Sequence, residues 1–236
     1  MTGFSQDCLD NMKRVSTATL TTAMFKRGFR NIYMQGVRPL GRYEENMVGA
    51  AYTLRYIPAR EDLDRVEGFA DPEHPQRKAV ENAPAGRVMV MDCRGDARVA
   101  SGGEILMTRL WKRGVAGLVS DGGLRDSRAI GEMPMPVFCA GPAAPLNLVH
   151  HHAIDIDVPV ACGGVAVYPG DLVVGDADGV VVIPAHLAEE IAAEVVEQEV
   201  MEKFLLGRIQ GGASLPGTYP PNAETRAAYE AWRKSR

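Results

Sequence analysis

The chain has 236 residues, 46% hydrophobic and 24% charged, proportions that exclude a disordered or fibrous polypeptide. Its 26 basic residues against 30 acidic ones leave a net charge of −4, so no nucleic-acid partner, which would ask for a basic face, is expected. No apolar run approaches the roughly 20 residues of a membrane span, and four scattered cysteines (8, 93, 139, 162) without a CxxC pair exclude a zinc cluster or a disulfide framework.

In chain order, Asp7 and Asp10 interrupt the first thirteen residues, so a signal peptide is not expected and the reading is a cytoplasmic protein with free thiols. Ser16 is placed to cap a helix reaching Arg27, with Gly28 at its left-handed end. Residues 47–56 read as a strand. The stretch 57–84 is acidic and punctuated by proline, and is expected to be a surface excursion with one or two helical turns that solubilises the protein or supplies a lid. Residues 87–92 form a short apolar run typical of a buried strand. A helix follows over 102–113, with Ile105, Leu106 and Leu110 on one side, then a strand over 115–120 and a Gly-rich loop over 121–126. Short strands are expected at 137–139, 154–160, 165–168, 172–174 and 179–183, separated by turns. A long helix starts near Pro184, with Leu187, Ile191 and Val195 on one track and Val196, Val200 and Phe204 on the next. Residues 1–209 thus read as one domain. Residues 210–236 form a tail, with Asn222 capping a last helix to about Trp232, which packs on the body or on a neighbouring subunit. Strand–helix units mixed with a meander of short strands predict a layered α/β domain.

Two junctions offer chemistry. Ser101-Gly102-Gly103 precedes a helix, whose first amides around Gly103, Glu104, Ile105 and Leu106 can donate to an anion. Asp121-Gly122-Gly123-Leu124-Arg125-Asp126 follows the next strand and puts a guanidinium beside a carboxylate. The first can clamp a substrate carboxylate and the second can hold a divalent cation; together they suit a 2-oxo acid. The bland alternative is a glycine turn with a surface Arg–Asp pair. Arg outnumbers Lys twenty to six, which is compatible with an anionic small-molecule substrate. A Schiff-base aldolase is disfavoured, because none of the six lysines lies in an apolar segment except Lys112 beside Arg113.

Gly103-Glu104-Ile105-Leu106, the stretch 121–126, and the run 157–171 leading to 175–184 together resemble the RraA-like family, which includes class II 4-hydroxy-4-methyl-2-oxoglutarate aldolases. The likeness covers about residues 15–209. It implies a swivelling β/β/α domain with a long C-terminal helix, assembled as a homotrimer or hexamer with sites near subunit interfaces. By motif, Gly103, Glu104, Ile105, Leu106 and Arg125 would bind the oxo acid, and Asp126 would ligate Mg²⁺ or Mn²⁺. Arg125, Asp126 and Glu104, the last as a candidate base, would carry catalysis. The implied reaction is retro-aldol cleavage of a 4-hydroxy-2-oxo acid to pyruvate, with oxaloacetate decarboxylation as a second activity. The family also implies an alternative, a non-catalytic regulator that binds ribonuclease E. One position departs from the aldolase pattern: after the Arg-Asp pair and two intervening residues, Ser127 and Arg128, stands Ala129 in place of an acid, and the next acid is Glu132.

The run His150-His151-His152 reads as an exposed or interface feature, since in a strand at most His150 and His152 share a face. Asp155 and Asp157 are expected on the wet face of a strand, and Asp171 and Asp176 in turns. Glu190, Glu194 and Glu197 read as a solvated helix face; by the resemblance, Glu199 or Glu202 would reach a neighbour's site.

Overall fold

Residues 3–235 are described by the computed structural model, so positions 1 and 2 of the domain and position 236 of the tail lie outside it. The centre is a strand, β2 (Met47–Pro58), long enough to take three neighbours. Its 50–55 stretch pairs in parallel with β3 (Arg87–Asp92), which is followed in parallel by β4 (Gly117–Leu124) and β5 (Val137–Pro142); a two-residue strand β1 (Arg38–Pro39) closes that edge. On its other side β2 pairs antiparallel with β6 (His151–Ile156) and with β9 (Leu172–Gly175), which carries β10 (Val180–Ile183). β7 (Val160–Cys162) and β8 (Val165–Val167) form a separate hairpin.

The parallel strands are buried along nearly their whole length and mostly apolar, because both faces are covered. Met89 and Met91 face helices α3 (Pro75–Asn82), α4 (Glu104–Lys112) and α5 (Ser127–Gly131), packing with Ala79, Val80, Met107, Leu110 and Ile130. Val88 and Val90 face the hairpin, packing with Val160, Val165 and Val167. Hairpin, sheet and helices are therefore stacked as β/β/α layers. A further core joins α1 (Gln6–Met12), α2 (Thr17–Lys26) and α6 (Ala188–Gln210) to β9 and β10. No helix among the described residues is long and apolar enough to cross a membrane.

The Ser16 side chain caps α2 by accepting from Thr19 N–H at 3.1 Å, and Gly28 adopts φ +92° beyond its end, as expected. The tail folds as α7 (Leu215–Thr218) and α8 (Ala223–Lys234), and Asn222 caps α8. α8 lies on the outer track of α6, where Phe204 meets Tyr229 and Trp232 at 5.6 and 5.3 Å. Glu197 bonds Arg233 and Tyr229, while Glu190 and Glu194 share Arg27, so this acidic face joins helices together.

Several expectations are corrected. Only the first half of 57–84 is a surface excursion: α3 buries Gln76, Ala79 and Val80 against the sheet. The stretch 121–124 is the end of β4, not a loop. The single strand expected at 154–160 is two, broken at Asp157, whose φ of +58° turns the chain. The long helix proper begins at Ala188, after a 3-10 turn at Ala185–Leu187. Ile105 points outward from α4, 81% exposed, because Met107 and Leu110 take the buried track.

Candidate active site

β3 and β4 end side by side, and the two segments that leave them are knitted together. Ser101 N–H donates to Gly123 O at 2.7 Å, and Arg125 N–H donates to Gly102 O at 3.1 Å. The fully buried Ser101 hydroxyl bonds Ser120 Oγ at 2.8 Å and Gly123 O at 3.0 Å, locking the pair of bends from beneath. Close approach selects glycine here, strictly at Gly123, which meets backbone, and less strictly at Gly103, which meets side chains. A Cβ on Gly123 would lie 2.5 Å from Ala143 Cβ and 2.9 Å from two carbonyl oxygens; one on Gly103 would lie 2.7 Å from Asp126 Oδ2 and 2.9 Å from Arg125 Nε.

Past the knit, Asp126 takes a left-handed backbone (φ +57°), uncommon for a residue other than glycine. Its carboxylate turns to the N-terminus of α4, where Oδ2 accepts from Glu104 N–H at 3.2 Å and stands 3.7 Å from Arg125 Nε. The α4 ladder begins with Met107 N–H to Gly103 O, so the amides of Ile105 and Leu106 precede it and retain donor capacity. Positive helix end, guanidinium and carboxylate thus meet at one cavity of about 240 Å³. Gly103, Ile105, Leu106, Arg125 and Asp126 all line it, as the sequence predicts. Glu104 does not: its backbone serves Asp126, while its side chain is exposed and off the cavity wall. Asp126 is the one acid on that wall among the described residues.

The opposite wall holds residues that sequence reasoning missed. Val66 and Phe69 come from a 3-10 turn (Val66–Ala70), Gln76 and Arg77 from the first turn of α3, and Leu146 and Asn147 from the segment before β6. Gln76 donates to Ser101 O at 2.7 Å and to Tyr56 Oη at 3.1 Å, tying α3 to the knit. Arg77 stacks its guanidinium 4.3 Å from the Phe69 ring; burial, and then the neighbouring Arg125, lower its pKa. Asn147 is only 4% exposed and its Nδ2 has no hydrogen-bond partner. The available signal was Pro75 opening a helix with Ala79, Val80 and Ala83 spaced for burial.

Other candidates lie elsewhere. Asp121 is buried beneath the knit and accepts amide N–H bonds from Cys93, Gly95 and Gly163; burial pushes its carboxyl pKa up. The three histidines diverge: His150 bonds Asp96 and His152 bonds Asp64, while the fully buried His151 lies between Arg94 and the Asp96 carbonyl. Among the described residues no three His, Cys, Asp or Glu side chains are gathered to hold a metal. Glu199 and Glu202 meet the N-terminus of α2 in this chain, through Ser16 and Thr19. Glu132 pairs with Arg128 on the surface, and the exposed Lys112 lies over the Trp111 ring, so neither reaches the cavity.

Residues 17–182 match the RraA-like family, described as Aldolase/RraA. The chain belongs to this family. It is 38% identical over 122 residues to a Halalkalibacterium halodurans protein provisionally named 4-hydroxy-4-methyl-2-oxoglutarate aldolase, covering 52% of this chain and 58% of that one. It is 33% identical over 108 residues to the 4-hydroxy-4-methyl-2-oxoglutarate aldolase of Thermus thermophilus, covering 46% and 65%. The aligned stretch is therefore less than two thirds of either relative. Among solved structures, RraAS2 of Streptomyces coelicolor, described as an unusual member of the RNase ES inhibitor RraA family, superposes with a TM-score of 0.75 at 32% identity over 85% of this chain and 96% of that one.

Proposed function

We propose that the protein is a divalent-metal-dependent lyase that cleaves a 4-hydroxy-2-oxo acid to release pyruvate, and that it decarboxylates oxaloacetate through the same enolate. The observation that carries this reading is the meeting of Arg125, Asp126 and the leading amides of α4 in one cavity. Aldolase-named relatives support the same reaction class.

The residues fit a hard cation. Asp126 is a half-exposed carboxylate on a cavity wall, and its Oδ1 has no partner among the described residues. Mg²⁺ and Mn²⁺ are commonly held by one or two carboxylates, with water and substrate completing the shell. When bound, such a cation supplies Lewis-acid stabilisation of oxyanion charge.

The chain's own groups do the rest. Arg125 and the Ile105 and Leu106 amides take the C1 carboxylate, which places the C2 oxygen near Asp126. The C4 hydroxyl loses its proton and becomes the carbonyl of the departing fragment as the C3–C4 bond breaks and its electron pair enters the pyruvate enolate. Arg125 stabilises that charge as it forms, and protonation at C3 completes pyruvate. Since Glu104 is off the wall in this chain, water at the open mouth receives the hydroxyl proton. Oxaloacetate loses CO₂ to the same enolate without that transfer. Membership of the RraA-like family supports assembly into a trimer or hexamer.

The second reading, a non-catalytic regulator that binds ribonuclease E, is favoured by the likeness to RraAS2. The test follows pyruvate through a coupled dehydrogenase, with 4-hydroxy-4-methyl-2-oxoglutarate or oxaloacetate and Mg²⁺ or Mn²⁺ supplied. Metal-stimulated release is expected from the unaltered chain. No release from either acid, with capture of ribonuclease E, would replace the enzyme reading with the regulator.

A further inference from the structure

The wall opposite Arg125 carries two features that a pyruvate subsite leaves unused. Arg77 is partly buried against Phe69, yet it pairs with no carboxylate among the described residues, and the charge it feels is Arg125, of the same sign. Asn147, at the same wall, keeps a buried amide donor unmatched, which costs stability unless a ligand meets it. Uncompensated positive charge and a prepaid donor, both lining one cavity, are the complement of an anionic group.

We propose that Arg77 and Asn147 form a second subsite, which binds the distal carboxylate of a dicarboxylic oxo acid whose near carboxylate lies on Arg125. The inference rests on the oxo-acid reading above and deepens it. Two guanidiniums at one cavity repel each other when it is empty; a dianion with a carboxylate at each end neutralises both, whereas a monocarboxylate leaves Arg77 unpaired. Gln76, the residue before Arg77, is anchored to Ser101 O, so α3 holds Arg77 at a fixed height over the knit. The contribution is to substrate selection, since Arg77 touches the end of the substrate away from the bond that breaks.

The test titrates the full chain calorimetrically, with Mg²⁺ present, against pyruvate and against 2-oxoglutarate, which adds a second carboxylate but has no C4 hydroxyl to cleave. A charge-assisted contact predicts that 2-oxoglutarate binds about tenfold or more tighter than pyruvate, and that Arg77→Ala and Arg77→Gln erase the advantage while moving the pyruvate Kd by less than about twofold. Arg77→Lys is expected to recover part of it, and Asn147→Leu, similar in size, to lose a few-fold of 2-oxoglutarate affinity alone. Equal weakening of both acids in Arg77→Ala, or an advantage that survives it, overturns the subsite. An unaltered chain that binds pyruvate with no preference for the dianion refutes the second subsite only; one that binds neither acid refutes the oxo-acid reading and takes the subsite with it.

Discussion

The two walls of the cavity are built by different means. The wall of Gly102, Gly103, Arg125 and Asp126 is backbone: two strand ends fixed by sheet pairing, tied by Ser101–Gly123 and Arg125–Gly102 hydrogen bonds, with glycines wherever a Cβ would collide. The wall of Phe69, Arg77 and Asn147 is side chains, carried by two segments outside the sheet, α3 with the turn before it and the stretch before β6, with Phe69 stacking and the Gln76 anchor holding Arg77 over the junction. A wall fixed by the sheet suits the part of the substrate that every reaction of this class shares. A wall of side chains carried by segments outside the sheet suits the part that differs.

That contrast predicts graded effects. On the backbone wall, Arg125→Ala is expected to lower pyruvate release about 100-fold or more, the scale seen when a group facing developing oxyanion charge is removed. The side chain is half-exposed, so thermal melting should hardly change; a coupled assay and a melt on the same sample check both.

Gly103→Ala comes next. The new methyl meets the ends of Arg125 and Asp126, which can swing aside, so the fold survives while the pair separates. Its extended backbone (φ −148°) accepts alanine, so turnover should fall about tenfold at a stability cost under about 1 kcal/mol. A cost of several kcal/mol would show that the knit, not the side-chain pair, had been broken.

The remaining expectations concern stability behind the opposite wall. Burial, and then Arg94, lower the pKa of the fully buried His151, so the unfolded chain takes up the proton first. Stability should therefore fall as pH drops below about 6.5, by at most about 1.4 kcal/mol per pH unit for this residue. Melts between pH 7.5 and 5.5 should slope accordingly, and His151→Gln should flatten the slope. Asp121, raised by burial, acts in the opposite sense and at lower pH, where carboxylates titrate. Smallest of all, Glu81→Gln removes the exposed Arg109–Glu81 pair between α3 and α4 and should barely move the denaturation midpoint, because buried Ala79 and Val80 hold α3 in place. Chemical denaturation measures it.

How much of this the sequence disclosed follows the same division. Local signals carried the Ser16 cap, the Gly28 terminus, the β3 strand, the start of α4 and the Arg125–Asp126 pair, because caps, apolar runs and Gly-rich bends act over a few residues. What was misread depended on distant partners. Gly122 and Gly123 look like a loop until Cys93, Ala97 and Ala143 are seen pressing on the strand. Ile105 looks like core until Met107 and Leu110 are seen to own the buried side. Arg77 and Asn147, 70 residues apart in the chain, share a wall only because α3 and the segment before β6 pack over the same junction. The histidine run reads as an exposed or interface feature until His151 is seen fully buried between Arg94 and the Asp96 carbonyl, with His150 and His152 turned to Asp96 and Asp64.

The most direct measurement compares Mg²⁺-stimulated pyruvate release from 4-hydroxy-4-methyl-2-oxoglutarate by the unaltered chain and by Asp126→Asn, which keeps the size of the side chain and its acceptor toward Glu104 N–H but removes its charge. The account predicts metal-stimulated release from the former and loss of that stimulation, with an unchanged melting temperature, in the latter. Equal, metal-stimulated release from both would contradict it.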